Sequence, residues 1–180
     1  VTGTPGTGKT TATERLEDRL TDSSTDGEGE QTPDLDVIHL NRVLEEEALY
    51  TEIDADRDSK IADLEALSDW LEGRDDVVIE SHLAHHFDVD RVAVLRCQPD
   101  QLEQRLRERG ETDAKAEENA ESEALDVILS AAVSEHGLES VYEIDTTDRD
   151  PDAVADELAA VAAGEREPRA GVVDFVEYLT

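Results

Sequence analysis

The sequence predicts an α/β protein in which a mostly parallel sheet is covered by helices on both faces. Short apolar runs alternate along the chain with longer segments of helical periodicity. The runs are apolar throughout, as are strands that are buried on both faces of a parallel sheet. Ligands of such folds bind at the carboxyl ends of the strands, so polar residues that follow the strands are candidates for a functional site.

Three strands are predicted in the first half of the chain. Val1 and Thr2, both β-branched, would be the last residues of the first strand. The second and third are DVIHL (36–40) and VVIE (77–80). These runs are bounded by polar segments, as short buried strands are.

Three helices are predicted between these strands. The first spans 8–20 and the second spans 41–49. The third begins at an N-cap, Asp58 or Ser59, and ends before Gly73. Its apolar residues repeat at intervals of three and four: Ile61, Leu64, Leu67 and Leu71.

Two polar segments interrupt this half of the chain. Residues 21–34 (TDSSTDGEGEQTPD) are acidic and contain Gly, Ser and Pro, which predicts a flexible surface insertion. Residues 50–58 (YTEIDADRD) are predicted to be a polar connection.

The second half of the chain continues the alternation of strands and helices. Strands are predicted over 91–96 (RVAVLR) and 141–144. The predicted helices run from Pro99 to about Gly110, over 113–136, and from Pro151 after an Asp150 cap. The tail, 164–180, contains an apolar and acidic segment that is predicted to dock on the body of the protein.

The chain of 180 residues carries 48 acidic and 16 basic residues, a formal net charge of −32. At low salt this charge repels itself and destabilises a compact state, whereas molar salt shortens the Debye length to ~3 Å. The composition therefore predicts a protein of a salt-adapted source. Disorder of the whole chain is the alternative, and the periodic apolar segments argue against it.

The composition also excludes several classes of protein. So acidic a chain is not expected to bind DNA directly, because such binding needs basic side chains facing phosphates. The single cysteine, Cys97, excludes an internal disulfide framework and a cysteine-based zinc cluster. No run approaches the ~20 apolar residues of a membrane span, so a single cytoplasmic domain without membrane contact is expected.

A glycine-rich loop carries the clearest chemical signal. Residues 3–10, GTPGTGKT, match G-x-x-x-x-G-K-[ST] between a strand and a helix. The glycines let backbone N–H groups point at phosphate oxygens, and the helix N-terminus adds positive charge. Lys9 would reach the β- and γ-phosphates of ATP, and the Thr10 hydroxyl would ligate Mg²⁺. A chance glycine-rich turn is the alternative, and the absence of N-K-x-D disfavours a common GTPase.

The strand VVIE ends in a carboxylate, Glu80, and His82 follows two residues later. A carboxylate at this position is typical of the Walker B group on the Mg²⁺ side of the site. His82 would point the same way if the extended conformation continues. The alternatives are a solvated carboxylate and a polar loop histidine. A zinc site of His82, His85 and His86 is disfavoured, because no fourth ligand is evident.

Arginines concentrate between residues 91 and 109. Arg96 ends a strand at the edge where ligands bind, and Arg109 lies at the end of a helix. Both are predicted to contact phosphate or nucleotide, because phosphoryl transfer needs cations that follow the moving charge. Arg105 shares a helix face with Arg109 and is a further candidate. Arg91 and Arg107 are expected to form surface salt bridges.

Together these motifs resemble the adenylate kinase isoenzyme 6 family, the small archaeal and eukaryotic nuclear-type adenylate kinases. The segments that carry the resemblance are GTPGTGKTT (3–11), ALYTEIDADRDS (48–59), VVIESH (77–82), VLRCQPDQLEQRLRERG (94–110), Lys115 and EEN (117–119). The resemblance implies a P-loop NTPase-type fold with a nucleoside-monophosphate-binding segment at 39–62 and a lid at 108–118. It also implies transfer of the γ-phosphoryl group of ATP to AMP, giving two ADP, with Mg²⁺.

The resemblance implies roles for particular residues. Those expected to bind ATP are Gly3, Gly6, Thr7, Gly8, Lys9, Thr10, Thr11 and Arg109, the last as the lid closes. Those expected to act in catalysis are Lys9, Glu80, His82, Arg96 and Arg109, with Thr10 and Glu80 on the metal. Two positions depart from the family pattern: Glu80 stands where Asp is usual, and Glu111 follows the lid's Arg-Gly where an aromatic residue is usual.

The family also implies ATP hydrolysis and a role in maturation of the small ribosomal subunit, through a basic small-subunit ribosomal protein. An ATP-gated assembly factor, whose main output is binding and release of that protein, is therefore the alternative function. A P-loop kinase of another small molecule is a third.

The charge of the chain generates the first testable prediction. Below about 0.5 M salt the unscreened repulsion should unfold the protein or reduce its compactness. Far-ultraviolet circular dichroism, recorded from molar KCl to dilute buffer, measures this. An unchanged spectrum over the whole range would refute the prediction.

Overall fold

A computed structural model describes residues 1–23, 35–54 and 59–180. The strands in this part of the chain are β1 (Asp36–His39), β2 (Tyr50–Asp54), β3 (Ser59–Ala62), β4 (Val77–Glu80), β5 (Val92–Arg96) and β6 (Val141–Asp145). The α-helices are α1 (Lys9–Ser23), α2 (Leu40–Glu46), α3 (Leu64–Leu71), α4 (Pro99–Glu108), α5 (Asp113–Ala124), α6 (Val127–His136) and α7 (Pro151–Ala162). The predicted α/β class is confirmed.

The first two residues join two parallel strand pairs into one sheet. β1 pairs with β4, and β5 pairs with β6. The Val1 nitrogen donates a hydrogen bond to Ile79 O at 2.7 Å, and Val1 O accepts one from Ser81 N at 3.2 Å. This is the pattern of a parallel pair with β4. Thr2 makes the equivalent pair of bonds with β5. The order across the sheet is therefore β1, β4, residues 1–2, β5 and β6, and the loop that follows Thr2 leaves the middle of the sheet.

Helices cover both faces of the central strands because successive β5 residues point to opposite sides. Ala93 and Leu95 pack with α1 and α7 in one core cluster. Val92 and Val94 pack with α6 in another. A third cluster surrounds Leu67 and joins β1 and β4 to α2 and α3. Among the described residues, no helix is both long and apolar enough to cross a bilayer.

Residues 50–58 were expected to be a polar connection, and this prediction is wrong for Tyr50–Asp54, which form β2. β2 and β3 form an antiparallel pair, and Ile61, assigned to a helix from its spacing, lies in β3 with 47% of its surface exposed. The helix begins at Leu64 because Asp63 is the N-cap, whose carboxylate accepts from Ala66 N at 3.0 Å. Residues 55–58, including the predicted cap Asp58, lie outside the described residues.

The single helix predicted over 113–136 is divided into α5 and α6. Asp126 has a φ of 55°, a left-handed conformation that ends α5 after Ala124 and Leu125. Its side chain is held by the buried Arg96, so a tertiary ion pair interrupts an otherwise helical sequence. The first three residues of the insertion predicted at 21–34 belong to α1, which continues to Ser23, and residues 24–34 are outside the described part.

The tail docks on the body of the protein, as predicted. Arg169 forms a parallel bridge with Tyr142 at the edge of the sheet. The backbone nitrogens of Val172 and Val173 donate to Glu143 Oε2 at 2.7 and 3.3 Å. A buried carboxylate of β6 therefore anchors the last segment of the chain.

Candidate functional site

The glycine-rich loop connects Thr2, in the middle of the sheet, to the first residue of α1. Gly3 has a φ of 141°, and a Cβ there would lie 2.5 Å from the Leu95 carbonyl oxygen, so no larger residue fits. Gly6 lies against α4 next to Leu102, and Gly8 has a φ of 88°. The loop thereby turns back over the carboxyl ends of the central strands and presents the N-terminus of α1, where backbone N–H groups favour anions.

The threonines of the loop divide between structural and exposed positions. Thr7 is buried, and its hydroxyl donates to Thr4 O at 2.9 Å. Thr146, which follows β6, donates its hydroxyl to Thr7 O at 2.9 Å. Thr10 and Thr11 are exposed in the first turn of α1. The loop is therefore fixed from within and from the sheet, while the first helical turn stays accessible.

The Lys9 ammonium lies over this loop. Nζ donates to Gly3 O at 2.8 Å and to Thr4 O at 3.1 Å, and the residue is 8% exposed. Burial lowers the pKa of Lys9 to about 8, against the opposing effect of the Glu80 and Glu123 carboxylates. A desolvated cation held above a phosphate-binding loop is suited to contact an anionic ligand.

A buried carboxylate stands next to the first turn of α1. Glu80 is 3% exposed, and its Oε1 is 3.4 Å from the Thr10 hydroxyl, which donates to it. His39, its partner across the β1–β4 pair, lies with Nδ1 2.9 Å from Glu80 Oε2. A carboxylate and a hydroxyl are the oxygen ligands that Mg²⁺ prefers, so this pair fits that metal. His39 was not among the residues predicted from the sequence, although it ends the neighbouring strand as Glu80 ends its own.

His82 lies within electrostatic reach of both Lys9 and Glu80. Burial lowers the pKa of its imidazole to about 4; the Lys9 charge adds to this effect and Glu80 opposes it. The ring is therefore neutral at pH 7 and can accept one hydrogen bond while donating another. It borders the site from the turn that follows β4.

Arg96 is held among acidic side chains in the described conformation, and its predicted contact with phosphate stays a prediction. The side chain is 1% exposed, and its guanidinium lies among three carboxylates. Nε donates to Glu123 at 2.7 Å, Nη1 to Glu143 at 2.6 Å, and Nη2 to Asp126. Burial alone would lower the pKa of Arg96, but the carboxylates raise it above its ordinary value. The sequence placed Arg96 at the right strand end without showing which acids meet it there.

Glu123 connects this ion cluster to the glycine-rich loop. It is 3% exposed, and its Oε2 accepts from the hydroxyl of Thr4, itself 1% exposed. Its Oε1 accepts from Cys97 N at 3.1 Å as well as from Arg96. Glu123 therefore ties α5 to the end of β5 and to the loop. In a chain with 48 acidic residues, no local sequence signal singles it out.

Arg105 of α4 contacts the loop, and Arg109, the residue that follows α4, lies within electrostatic reach of Lys9. Arg105 Nη1 donates to Gly6 O at 3.3 Å and Nη2 to Gln101 Oε1 at 2.8 Å. Arg109 caps the helix, is exposed, and its charge contributes to lowering the pKa of Lys9. Within the described residues, its guanidinium makes no hydrogen bond or ion pair, so it remains available to a ligand. Arg107 instead pairs with Glu103 and Asp113, as expected for a surface position.

The predicted lid, 108–118, comprises the end of α4, a short loop and the first turns of α5. Gly110 has a φ of 90° in this loop. Ala116, further along, is fully buried against α4. The described conformation is therefore a packed helical hairpin, and its movement stays a prediction.

The sequence model of the AAA domain family matches residues 1–126. A protein of Natronomonas pharaonis is 59% identical over 179 residues, covering 99% of this chain and 98% of the relative. A protein of Halobacterium salinarum strain R1 is 54% identical over 180 residues, with 99% and 98% covered. One of Methanocaldococcus jannaschii is 36% identical over 188 residues, with 100% and 96% covered. All three carry the name "Putative adenylate kinase".

The chain belongs to the AAA domain family and, within it, to the family of these archaeal proteins. The matched region, 1–126, includes the glycine-rich loop, Glu80 and Arg109. It also includes Glu123 and Asp126, so the ion cluster around Arg96 lies almost wholly within the family's domain. The site described above is therefore the P-loop site of a member of this family.

Removal of the Thr4 hydroxyl tests the hydrogen bond between the glycine-rich loop and Glu123 of the ion cluster around Arg96. Thr4→Val keeps the shape of the side chain but leaves Glu123 Oε2 without its donor, whereas Thr4→Ser keeps the donor. We expect Thr4→Val to lower the free energy of unfolding by about 1–3 kcal/mol and Thr4→Ser to lower it less. Urea denaturation in molar KCl measures both, and equal values for the two variants would show that the bond does not stabilise the fold.

The depressed pKa of Lys9 predicts a pH dependence of stability. The folded state binds this proton less tightly than the unfolded state, so the protonated lysine lowers the free energy of unfolding below pH 8. Between pH 8 and 10.5 the folded state loses the proton first, and the free energy of unfolding rises. Relative to Lys9→Met, the wild-type protein should gain about 3 kcal/mol over that interval. Denaturation of both proteins at each pH measures the difference, and a constant difference would contradict the burial of a charged Lys9.

Proposed function

We propose that this protein is a nucleoside-monophosphate kinase that transfers the γ-phosphoryl group of ATP to AMP, giving two ADP, and that it acts in the cytoplasm. The observation that carries the proposal is the meeting of Lys9, Thr10 and the buried Glu80 at the mouth of a glycine-rich loop. The name shared by the archaeal relatives supports the same activity. The motifs at 77–82 and 94–110 support assignment to the isoenzyme 6 family.

In the proposed reaction, the loop N–H groups and the α1 N-terminus bind the phosphates of ATP. Lys9 exchanges its bonds to loop carbonyls for bonds to phosphate oxygens. Thr10 and Glu80 would hold Mg²⁺, which neutralises charge on the phosphates when bound. His39 orients Glu80 from the neighbouring strand, and neutral His82 is placed to bind a polar group of a reactant.

The acceptor is expected between α2, the β2–β3 pair and the P-loop. Arg42, on α2, is exposed and forms no ion pair within the described residues, so it can bind an acceptor phosphate. Arg57 and Asp54 were also expected here; Arg57 and the side chain of Asp54 lie outside what the structure describes. Arg109 is placed to stabilise charge on the transferred group, and closure of 108–118 would exclude water.

The second candidate function is that of an ATP-gated assembly factor, which binds and releases a ribosomal protein. The net charge of −32 would attract a basic partner such as a small-subunit ribosomal protein. In that case ATP hydrolysis would drive binding and release. A kinase needs a nucleoside monophosphate as phosphoryl acceptor, whereas an ATPase does not.

Product analysis separates the candidates. In molar KCl with Mg²⁺, ATP is supplied alone or with each nucleoside monophosphate, and nucleotides are separated by chromatography. A kinase forms ADP at twice the rate of AMP loss and forms it slowly without AMP. Formation of ADP and free phosphate at one rate, whatever the acceptor, would replace the kinase by an ATPase.

Lys9→Ala should reduce phosphoryl transfer by at least ~100-fold, because it removes a cation from the charge that develops in the transition state. The fold should persist, because only the side chain beyond Cβ is removed and the backbone of the loop is unchanged; circular dichroism in molar salt checks this. Activity above a few per cent in a folded variant would count against the P-loop assignment.

Glu80→Gln should lose about 100-fold in Mg²⁺-dependent activity, because a neutral amide is a weaker metal ligand. Glu80→Asp, the residue usual in the family that this chain resembles, should retain more activity. Glu139→Gln, at an exposed position on the surface, is the matched control for the change of charge. Equal activity of Glu80→Gln and the control would remove Glu80 from the metal site.

A further inference from the structure

Three histidines, His85, His86 and His136, meet where α6 packs on the short turn that follows β4. His82, His86 and His136 all influence the charge of His85, which is 4% exposed. The rings of His85 and His86 lie 4.1 Å apart, centroid to centroid, in the short 3₁₀ turn Ala84–His86. His85, His86 and His136 have no role in the proposed phosphoryl transfer.

A carboxylate from another element completes the group. Glu135, in the last turn of α6, has Oε1 2.9 Å from His86 Nδ1. Candidate ligand atoms of His85, His86 and Glu135 all lie within 4.8 Å of one another. Since 49 residues separate His86 from Glu135, no local sequence pattern joins this carboxylate to the histidines.

We propose that His85, His86 and Glu135 bind a divalent transition-metal ion, with Zn²⁺ the best-fitting ion, at a site separate from the Mg²⁺ pair. Two imidazoles and one carboxylate, with a fourth position for water, are an established zinc ligand set. Mg²⁺ prefers oxygen ligands alone, so the two sites would select different ions.

The hydrogen bonds around His85 prepare it for this role. The Thr2 hydroxyl donates to His82 O at 3.3 Å, so its oxygen is free to accept from His85 Nδ1, 3.0 Å away. In the tautomer that keeps the Thr2–His82 bond, His85 carries its proton on Nδ1 and its lone pair on Nε2, as in metal-binding histidines whose other nitrogen is held by a second group. His136 Nε2 donates to His85 O at 2.7 Å and holds the turn in place.

Only small movements would close the site. A tetrahedral ion with bonds of about 2.0–2.1 Å needs ligand atoms about 3.4 Å apart. His86 and Glu135 are both exposed, so their side chains can move by about 1 Å without disturbing the core. The metal would replace the hydrogen bond between His86 Nδ1 and Glu135 Oε1, and the neutral His86 ring would then carry its proton on Nε2. The bound ion would clamp α6 to the turn that follows β4.

Calorimetric titration with ZnCl₂ tests the proposal. The whole chain is stripped of metal with a chelator and exchanged into a molar potassium salt at pH 7.5 with excess Mg²⁺, which occupies the magnesium pair and screens the acidic surface. We expect one equivalent of Zn²⁺ to bind. His86→Ala and Glu135→Gln should each weaken binding at least tenfold, while Glu139→Gln, an exposed carboxylate outside the group, should not.

Cobalt provides a second readout. Co²⁺ bound to the wild-type protein should give visible absorption bands of a low-coordinate site, and both ligand variants should lose them. Zn²⁺ should also raise the Tm of the wild-type protein and not that of the variants. Weak binding of many ions, or one-site binding equally tight in both variants, would overturn the proposal. Because no nucleotide is present, these outcomes are independent of the kinase assay.

Discussion

The buried pairing of Arg96 with Glu123 is the interaction on which the site depends. A guanidinium that is 1% exposed must be neutralised within the protein, because isolated charges are strongly destabilised in a low-dielectric interior. The partners come from three elements: Glu123 from α5, Asp126 from the α5–α6 junction, and Glu143 from β6. Loss of one partner from such a cluster typically costs about 3–5 kcal/mol.

The need to neutralise the buried Arg96 guanidinium explains features elsewhere in the fold. Asp126 leaves helical geometry in order to reach Arg96, so one predicted helix becomes two. The second oxygen of Glu143 receives the tail, and the second oxygen of Glu123 receives Thr4 of the loop. The conformation of the phosphate-binding loop is thereby coupled to α5, and α5 continues from the segment that carries Arg109.

The charge distribution places a cationic site on an acidic molecule. Lys9, Arg105 and Arg109 gather around the loop of a chain whose net charge is −32. An anionic nucleotide approaching this surface is repelled at long range, and molar salt screens that repulsion within ~3 Å. The short contacts at the loop are buried and are screened much less. High salt would therefore favour both compactness and access of nucleotide to the site.

Sequence alone determined the parts of this protein that depend on interactions between residues close together in the chain. The glycine-rich loop follows from the spacing of GTPGTGKT, Pro151 and Asp150 mark the start of α7, and short apolar runs mark the parallel strands. Glu80 was found because it ends such a strand. The tertiary structure decided the rest, because it depends on pairings between distant residues. The β2–β3 pair replaced a helix pattern at Ile61. Three distant acids surround the Arg96 guanidinium, and α6 brought Glu135 to the histidines. Among 48 similar acidic residues, only the folded chain distinguishes the few that a buried cation or a histidine needs.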